Sequence, residues 1–353
     1  MQSPHDIGPL CVVTGGSGFL GRAIVKLLLE QGYRVRVFDR ADHPQLDPRA
    51  ELFLGDVRDR DEVRRALLGA GTVFHTASLI HLSGVASKRT RERVFEVNVG
   101  GTHNVIEACR ANGVPRLVHT STNNVVFDRE VVDGDERAAY ATHWVDLYSE
   151  TKLLAERAVL AAGKSGTGLC TCALRPGGIW APYGGGVMID KVLDQIALGT
   201  FVARIGDGGL ADNTHVDNLC EAELLAARAL RAKPELVSGE AYFITDGEPM
   251  DPVDWFAPLV EGLGSRLPSR RLPARLMYGL GYACEWAARL GAPAPLLTRV
   301  EVLKVTRRHS FRIDKAREHL GYVPHIRSRE GLIACLPYAR EYIANKRAKS
   351  RRA

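Results

Sequence analysis

"VVTGGSGFLG", residues 12–21, sets glycines at 15, 18 and 21 between two apolar segments. The residues leading in, Leu10-Cys11-Val12-Val13-Thr14, are short, β-rich and apolar on both faces. A strand buried inside a parallel sheet has that composition. Beyond the turn, Ala23, Ile24, Leu27 and Leu28 recur at helical spacing. The glycines therefore make a strand-to-helix turn. A helix N-terminus presents unpaired N–H groups and partial positive charge. Glycine lets the backbone turn sharply and lets an anion approach it. Together these predict a cradle for a pyrophosphate. The spacing is G-x-x-G-x-x-G, and a bare turn of this kind also serves as an ordinary βα loop, so context has to decide.

The next segments supply that context. Arg34-Val35-Arg36-Val37-Phe38 alternates as a second strand and ends at Asp39, 18 residues after Gly21. An acidic residue there meets the adenosine ribose hydroxyls of a dinucleotide. Arg40 follows directly. A carboxylate repels a 2′-phosphate and a guanidinium attracts one. Asp39 holds the strand end, which favours NAD and leaves NADP as the alternative. A third strand, 51–54, runs into Gly55-Asp56-Val57, and a fourth, 72–75, into Thr76-Ala77-Ser78. Strands alternating with helical stretches predict right-handed βαβ units and a doubly wound parallel sheet.

The chain has 353 residues, 45% of them hydrophobic, which is ample for one large domain or two smaller ones. Its seven cysteines are scattered and sit mostly in apolar runs, as reduced thiols of a cytoplasmic protein do. Cys170 and Cys172 read as strand packing, and no His/Cys spacing suggests a metal site. No signal peptide and no long uncharged span are expected. Net charge is +6, with the excess late in the chain and in the tail residues Lys346, Arg347, Lys349, Arg351 and Arg352. No nucleic-acid motif accompanies these charges. They read as a solvated, partly disordered tail, or else as an attraction to an anionic membrane surface.

"DLYSETKLLAERAVL", residues 146–160, carries the chemistry. Apolar residues at 153, 154, 158 and 159 make it a helix, so Tyr148 and Lys152, four apart, share one face. An ammonium beside a phenol favours the phenolate, and such a tyrosine exchanges protons with an alcohol near neutral pH. Upstream, Arg116-Leu117-Val118-His119-Thr120 is a fifth strand, ending in Ser121-Thr122-Asn123. Ligands of parallel α/β sheets bind at such carboxyl ends.

With the Gly15/Gly18/Gly21 turn, Asp56-Val57, "HTAS", "VNVGGTHNV" around Asn98, the strand-end hydroxyl, Tyr148-x-x-x-Lys152 and "LRPGGIWAP", the chain resembles the extended short-chain dehydrogenase/reductase superfamily over about the first 220 residues. The resemblance implies Tyr148 as general base, Lys152 as its tuner and ribose ligand, and Thr122 as the substrate-positioning hydroxyl. It also implies cofactor contacts from Gly15, Ser17, Gly18, Phe19, Leu20, Asp39, Arg40, Asp56, Val57, Ala77, Ser78, Asn98, Pro176 and Ile179. For Asn98 a purely structural role stands beside a proton-relay role. "FHTASLIHLSG", "NVGGTHNVIEACRANGV", "LYSETKLLAE", "GEAYFITDGEP", "LGYVP" and "APAPLLT" are similar to the 3β-hydroxysteroid dehydrogenase branch along almost the whole chain. That branch implies NAD-dependent oxidation of a sterol 3β-hydroxyl to the ketone. In some members a 5-ene to 4-ene isomerisation or loss of a C4 carboxylate accompanies it. No residue matches an isomerase acid.

The second half predicts a smaller, mostly helical substrate lobe. The expected division is a dinucleotide-binding domain over 8–178 with returning segments at 212–247, a substrate lobe over 179–211 and 248–335, and a basic tail over 336–353. "HVDN" (215–218) and "GEAYFITDG" (239–247) read as strands rejoining the main sheet. In the helix 274–290, Arg275, Glu285 and Arg289 fall within an arc of about 80° and the rest is apolar or glycine. That pattern suits a core or dimer helix, a lid over a sterol, or a helix docked on a membrane surface. A homodimer is expected. Three other functions keep the scaffold: a nucleotide-sugar enzyme using Arg204, Arg271 and Arg275 as diphosphate ligands, an NADPH-dependent lipid ketone reductase, and a non-catalytic dinucleotide sensor.

Overall fold

The computed structural model describes residues 6–144, 146–183, 187–292, 295 and 297–350. Residues 184–186 of the expected glycine-rich loop, 293, 294 and 296 of "APAPLLT", and Arg351 and Arg352 lie outside the described residues. The first apolar run forms β1 (Cys11–Thr14), followed by β2 (Val35–Asp39), β3 (Glu51–Leu54), β4 (Thr72–His75), β5 (Arg116–Thr120), β6 (Cys170–Pro176) and β7 (Glu240–Ile244). All pair in parallel in the order β3-β2-β1-β4-β5-β6-β7. The order reverses at β1, so a crevice opens between the ends of β1 and β4.

Alternation along each strand feeds two cores. Cys11, Val13, Val35, Val37, Phe74, Val118 and Leu174 pack against α1 (Phe19–Glu30) and α4 (Val216–Ala232), through residues such as Ile24, Leu28, Leu219 and Ala226. Val12, Phe38, Val73 and Leu117 pack against α2 (Gly101–Ala111) and α3 (Leu147–Gly163), through Val105, Ile106 and Val159. Burial on both faces explains why these strands read as continuous apolar runs. The fold is thus the expected doubly wound α/β sheet.

The C-terminal part differs from expectation in two places. Asn213–His215 forms a strand, but it pairs with Gly178–Trp180 in a separate two-stranded sheet. "VDN" already belongs to α4, whose first turn is capped by the His215 side chain. Only the 240–244 segment rejoins the main sheet. Second, the stretch read as a solvated tail is a helix, Leu336–Ser350, as far as it is described. Its Ala339 and Ile343 are buried in a third core with Trp180, Leu193, Trp255 and Leu259. Sparse apolar residues among many charges hid that seam.

Of the arrangements left open for the helix α5 (Ala274–Arg289), the structure shows one with most of its apolar side exposed. Its inward seam is Gly281 and Glu285, both buried against α6 (Arg299–Thr306). Glu285 Oε1 accepts from the Arg299 backbone N–H at 2.8 Å, and Oε2 receives the guanidinium at 2.8 Å. A Cβ on Gly281 would stand 3.0 Å from the Thr298 carbonyl carbon, which explains the close helix approach. Leu276, Leu280 and Leu290 are 66%, 50% and 84% exposed, with Tyr282 and Trp286 beside them. The polar arc was legible, but its Glu285 faces a partner arginine rather than water. No helix among the described residues is long and apolar enough to cross a membrane.

Candidate active site

The glycine turn is built from close backbone approaches. Gly15 has φ +73° and folds onto the loop after β4, where a Cβ would stand 2.8 Å from Ala77 Cα. Gly18 is the N-cap of α1 with no side-chain cap, and the first turn carries no acidic residue. The helix end therefore keeps its positive pole for an anion. The Ser17 hydroxyl is buried there without a partner. An orphaned donor beside uncapped helix N–H groups fits a pyrophosphate oxygen. Phe19 and Leu20 follow on the first turn, and Phe19 faces the Tyr183 ring at 6.4 Å.

At the end of β2 the Asp39 carboxylate accepts from the Ser17 backbone N–H at 3.0 Å and from the Arg40 N–H at 2.7 Å. Both bonds aim it across the glycine turn, where a ribose would lie. Arg40 leans toward Asp56 at 3.5 Å, which also binds Arg58 at 2.8 Å. The Arg58 contact holds the Asp56 carboxyl below its usual range. Buried Val57 packs on Gly101 at the start of α2.

Asn98 stands in a π-turn, Glu96–Gly100, within the helix leading to α2. Such turns often sit at functional sites. Its side chain clamps the loop after Ser78: Oδ1 accepts from the Leu79 N–H at 2.7 Å, while Nδ2 donates to the Leu79 carbonyl at 3.0 Å and to Thr151 Oγ1 at 2.8 Å. The π-turn thereby fastens the β4 loop to α3.

Tyr148 and Lys152 arise from the first turns of α3, which Asp146 caps by accepting from the Ser149 N–H at 2.7 Å. Thr122 closes the loop after β5 with its hydroxyl beside the Tyr148 phenol, and it accepts from the Asn124 N–H at 3.2 Å. Ser121 turns the other way and donates to Glu156 Oε2 at 2.5 Å. Of the two hydroxyls, Thr122 is the one beside the tyrosine. Desolvation pushes the phenol above its ordinary value, Asp146 adds to the rise, and the neighbouring Thr122 hydroxyl opposes it. Lys152 does not figure among the causes acting on the phenol, and two of its donors are turned to β5. It donates to the Thr120 carbonyl at 2.6 Å and lies 3.1 Å from His119 Nε2. Burial brings its pKa down to about 7, against the pull of Glu156 and Glu223.

A buried polar floor lies under these residues, and most of it escaped the sequence reading. Glu156 and Arg175 form an ion pair at 2.7 Å, both nearly inaccessible. Tyr140 donates to the same carboxylate at 2.7 Å. Breaking one partner of such a pair costs about 3–5 kcal/mol. The signals were present: Tyr148, Lys152 and Glu156 run at i, i+4, i+8 along one helix stripe, and Arg175 interrupts an apolar strand. Pro176 ends β6, and Ile179 follows in the short strand beside Asn213–His215. Gly177 between them touches the Asp212 carbonyl so closely that a Cβ would stand 1.8 Å away.

Residues 12–274 match the family model described as the 3-beta hydroxysteroid dehydrogenase/isomerase family. The chain is 38% identical to a 3-beta-hydroxysteroid dehydrogenase of Mycolicibacterium neoaurum, over 94% of this chain and 92% of that protein. It is 40% identical to a 3 beta-hydroxysteroid dehydrogenase/Delta 5-->4-isomerase of Mycobacterium tuberculosis, over 93% and 89%. Among solved structures, a UDP-glucose 4-epimerase of Thermotoga maritima superposes with a TM-score of 0.74 at 23% identity, over 94% of this chain and 99% of that one. That likeness speaks for the shared fold. The glycine cradle, the Tyr148–Thr122 pair and these relatives together place the chain in the 3-beta hydroxysteroid dehydrogenase/isomerase family, as an oxidoreductase acting on CH–OH groups.

Proposed function

We propose that this chain uses NAD to oxidise the 3β-hydroxyl of a steroid or sterol to the 3-ketone. The observation that carries the reading is the placement of Tyr148 beside Thr122 at the carboxyl end of β5, on the same edge of the sheet as the glycine cradle and Asp39. Thr122 holds the substrate oxygen. Tyr148 removes its proton, and Lys152, one helix turn away, favours the phenolate as long as its buried partners keep the ammonium charged. The nicotinamide of bound NAD supplies the acceptor for the C3 hydride. Asp39 reads the ribose hydroxyls, and Arg40 leans aside toward Asp56. Whether isomerisation or decarboxylation follows has no matched residue.

The nucleotide-sugar reading loses support from the second lobe. Arg204 is committed to Asp254 at 2.5 Å and to the Pro268 carbonyl, and Arg271 to the Gly206 carbonyl. A diphosphate would have to displace these bonds. The exposed face of α5, which carries Arg275 and Arg289 beside its apolar residues, suits an anionic lipid surface, which brings an apolar substrate to the site. Vesicles of anionic lipid should retain the protein and release the Leu280→Glu variant. Sedimentation into a dimer lost in that variant would instead make the face a subunit contact. The seven cysteines, all free and mostly buried, suit a reducing cytoplasm.

The test of substrate class is a panel of 3β-hydroxysteroids and UDP-sugars, each with NAD and NADP, read by nicotinamide absorbance. Turnover of a steroid with NAD is expected. Turnover of a UDP-sugar alone overturns the assignment and leaves the fold standing.

A further inference from the structure

The i, i+4 spacing explains why Tyr148 and Lys152 share a helix face. It does not explain how Lys152 is held. Lys152 is among the largest fully buried side chains of the protein. A buried ammonium needs partners for its donors. Two come from the last residues of β5: the Thr120 carbonyl at 2.6 Å and His119 Nε2 at 3.1 Å. These two bonds leave one of the three donors for the site.

His119 is built as an acceptor. It is inaccessible, and desolvation, Lys152 and His75 push its imidazole well below the ordinary range, so the ring stays neutral. With Nε2 facing an ammonium, the ring proton sits on Nδ1. That atom lies toward the His75 backbone and makes no well-formed hydrogen bond. His75 is itself locked by Thr14 Oγ1 at 2.7 Å and Thr102 Oγ1 at 2.9 Å, so the floor under His119 cannot shift freely.

Across the strand the Glu223 carboxyl supplies a counter-charge when ionised; burial raises it to about 7 against the pull of Thr120 and Lys152. The Thr120 hydroxyl donates to Glu223 Oε1 at 2.5 Å, and Glu223 Oε2 has no partner. Glu156, one turn beyond Lys152, is already neutralised by Arg175. The groups facing Lys152 are thus His119 and His75 from the sheet, Glu156 from α3 and Glu223 from α4.

We propose that His119 is a positioning residue that fixes Lys152 at the end of β5 as a neutral acceptor, with Glu223 as the buried counter-charge on the far side of Thr120. The inference rests on the reading of Tyr148 and Lys152 as the reacting pair. Losing the acceptor weakens the ammonium, so Lys152 gives up its proton at lower pH. A neutral Lys152 no longer favours the phenolate, and the acid limb of kcat/KM for alcohol oxidation moves to higher pH.

The test compares His119→Phe, which fills the space without an acceptor, with His119→Gln, which keeps one. NADH binding is followed by fluorescence titration, which needs no substrate. His119→Phe should weaken NADH roughly tenfold, the scale of one hydrogen bond to a charged group, and move the acid limb upward. His119→Gln should recover most of both. Glu223→Gln, which keeps an acceptor for Thr120, should move the limb in the same direction. A folded His119→Phe with wild-type NADH affinity and an unmoved limb overturns the proposal, and so does an unmoved limb in Glu223→Gln. Should the histidine variants fail to fold, nitrogen NMR of the wild-type histidines decides. His119 should be neutral and protonated at Nδ1 between about pH 5 and 8, and a proton on Nε2 overturns the assignment. Wild-type protein that binds no NADH counts against the dehydrogenase reading itself, not against His119.

Discussion

Replacing Gly21 by alanine tests the cradle at its tightest point. A Cβ there would stand 2.1 Å from the Gly15 carbonyl oxygen, 2.6 Å from Gly16 Cα and 2.9 Å from Gly15 C. All three are backbone atoms, so no side chain can swing away. Ordinary contact begins near 3.4 Å, and the turn must open by about 1 Å against α1. Overpacking of this kind costs about 1–3 kcal/mol of stability. Misplacing binding groups by about 1 Å costs up to roughly a hundredfold. Gly21→Ala should therefore weaken NADH binding by roughly ten- to a hundredfold and lower Tm by several degrees. Gly279→Ala is the control: it lies exposed in α5 with nothing within 4 Å of a new Cβ. Helix propensity makes it neutral or up to about 1 kcal/mol stabilising. Fluorescence titration with NADH and calorimetry read both. Wild-type NADH affinity and Tm in Gly21→Ala would refute the cradle.

Three further outcomes follow from the site. Tyr148→Phe should keep NADH affinity and lose about two to four decades of turnover, measured as kcat with the steroid substrate. Asp39→Ala removes the acceptor of the Ser17 N–H and the repulsion of a 2′-phosphate, so the NAD-to-NADP ratio of kcat/KM should fall. Asp212, buried and raised to about 7, is protonated in the folded protein over a range where the unfolded chain is charged. Wild-type stability therefore falls as pH rises from about 4 to about 7, and Asp212→Asn should lack that loss. The gain in the variant should be near zero at the acid end and on the order of a few kcal/mol by pH 8, measured by denaturant titration.

The seven sheet strands and the glycine turn were legible because strands buried on both faces are apolar without interruption, and glycine is demanded where backbones touch. Tyr148, Lys152 and Thr122 were legible as a helix-face pair and a strand-end hydroxyl. The protonation state was not, because it depends on where Lys152 points once His119 and Thr120 claim its donors. The sequence marks Glu156 on the Tyr148/Lys152 stripe and Arg175 within an apolar strand, but these two, His119 and Glu223 become one buried floor only when β5, β6, α3 and α4 close around them. The Asn213–His215 strand was misplaced because three residues carry no information on which sheet they join. The 336–350 helix was misread because Ala339 and Ile343 are a thin seam in a charged sequence. In α5, helical geometry gave the polar arc correctly, and only the tertiary partner, Arg299, decided that its Glu285 turns inward.

The most direct measurement follows the hydride. A 3β-hydroxysteroid carrying deuterium on C3 is incubated with the protein and NAD, and both products are analysed by mass spectrometry. The label should appear on the reduced nicotinamide and the steroid should become the 3-ketone, while the 3α epimer, which turns its hydride away, stays unreacted. Absence of NADH with any 3β-hydroxysteroid, or label retained on the steroid, would contradict the account.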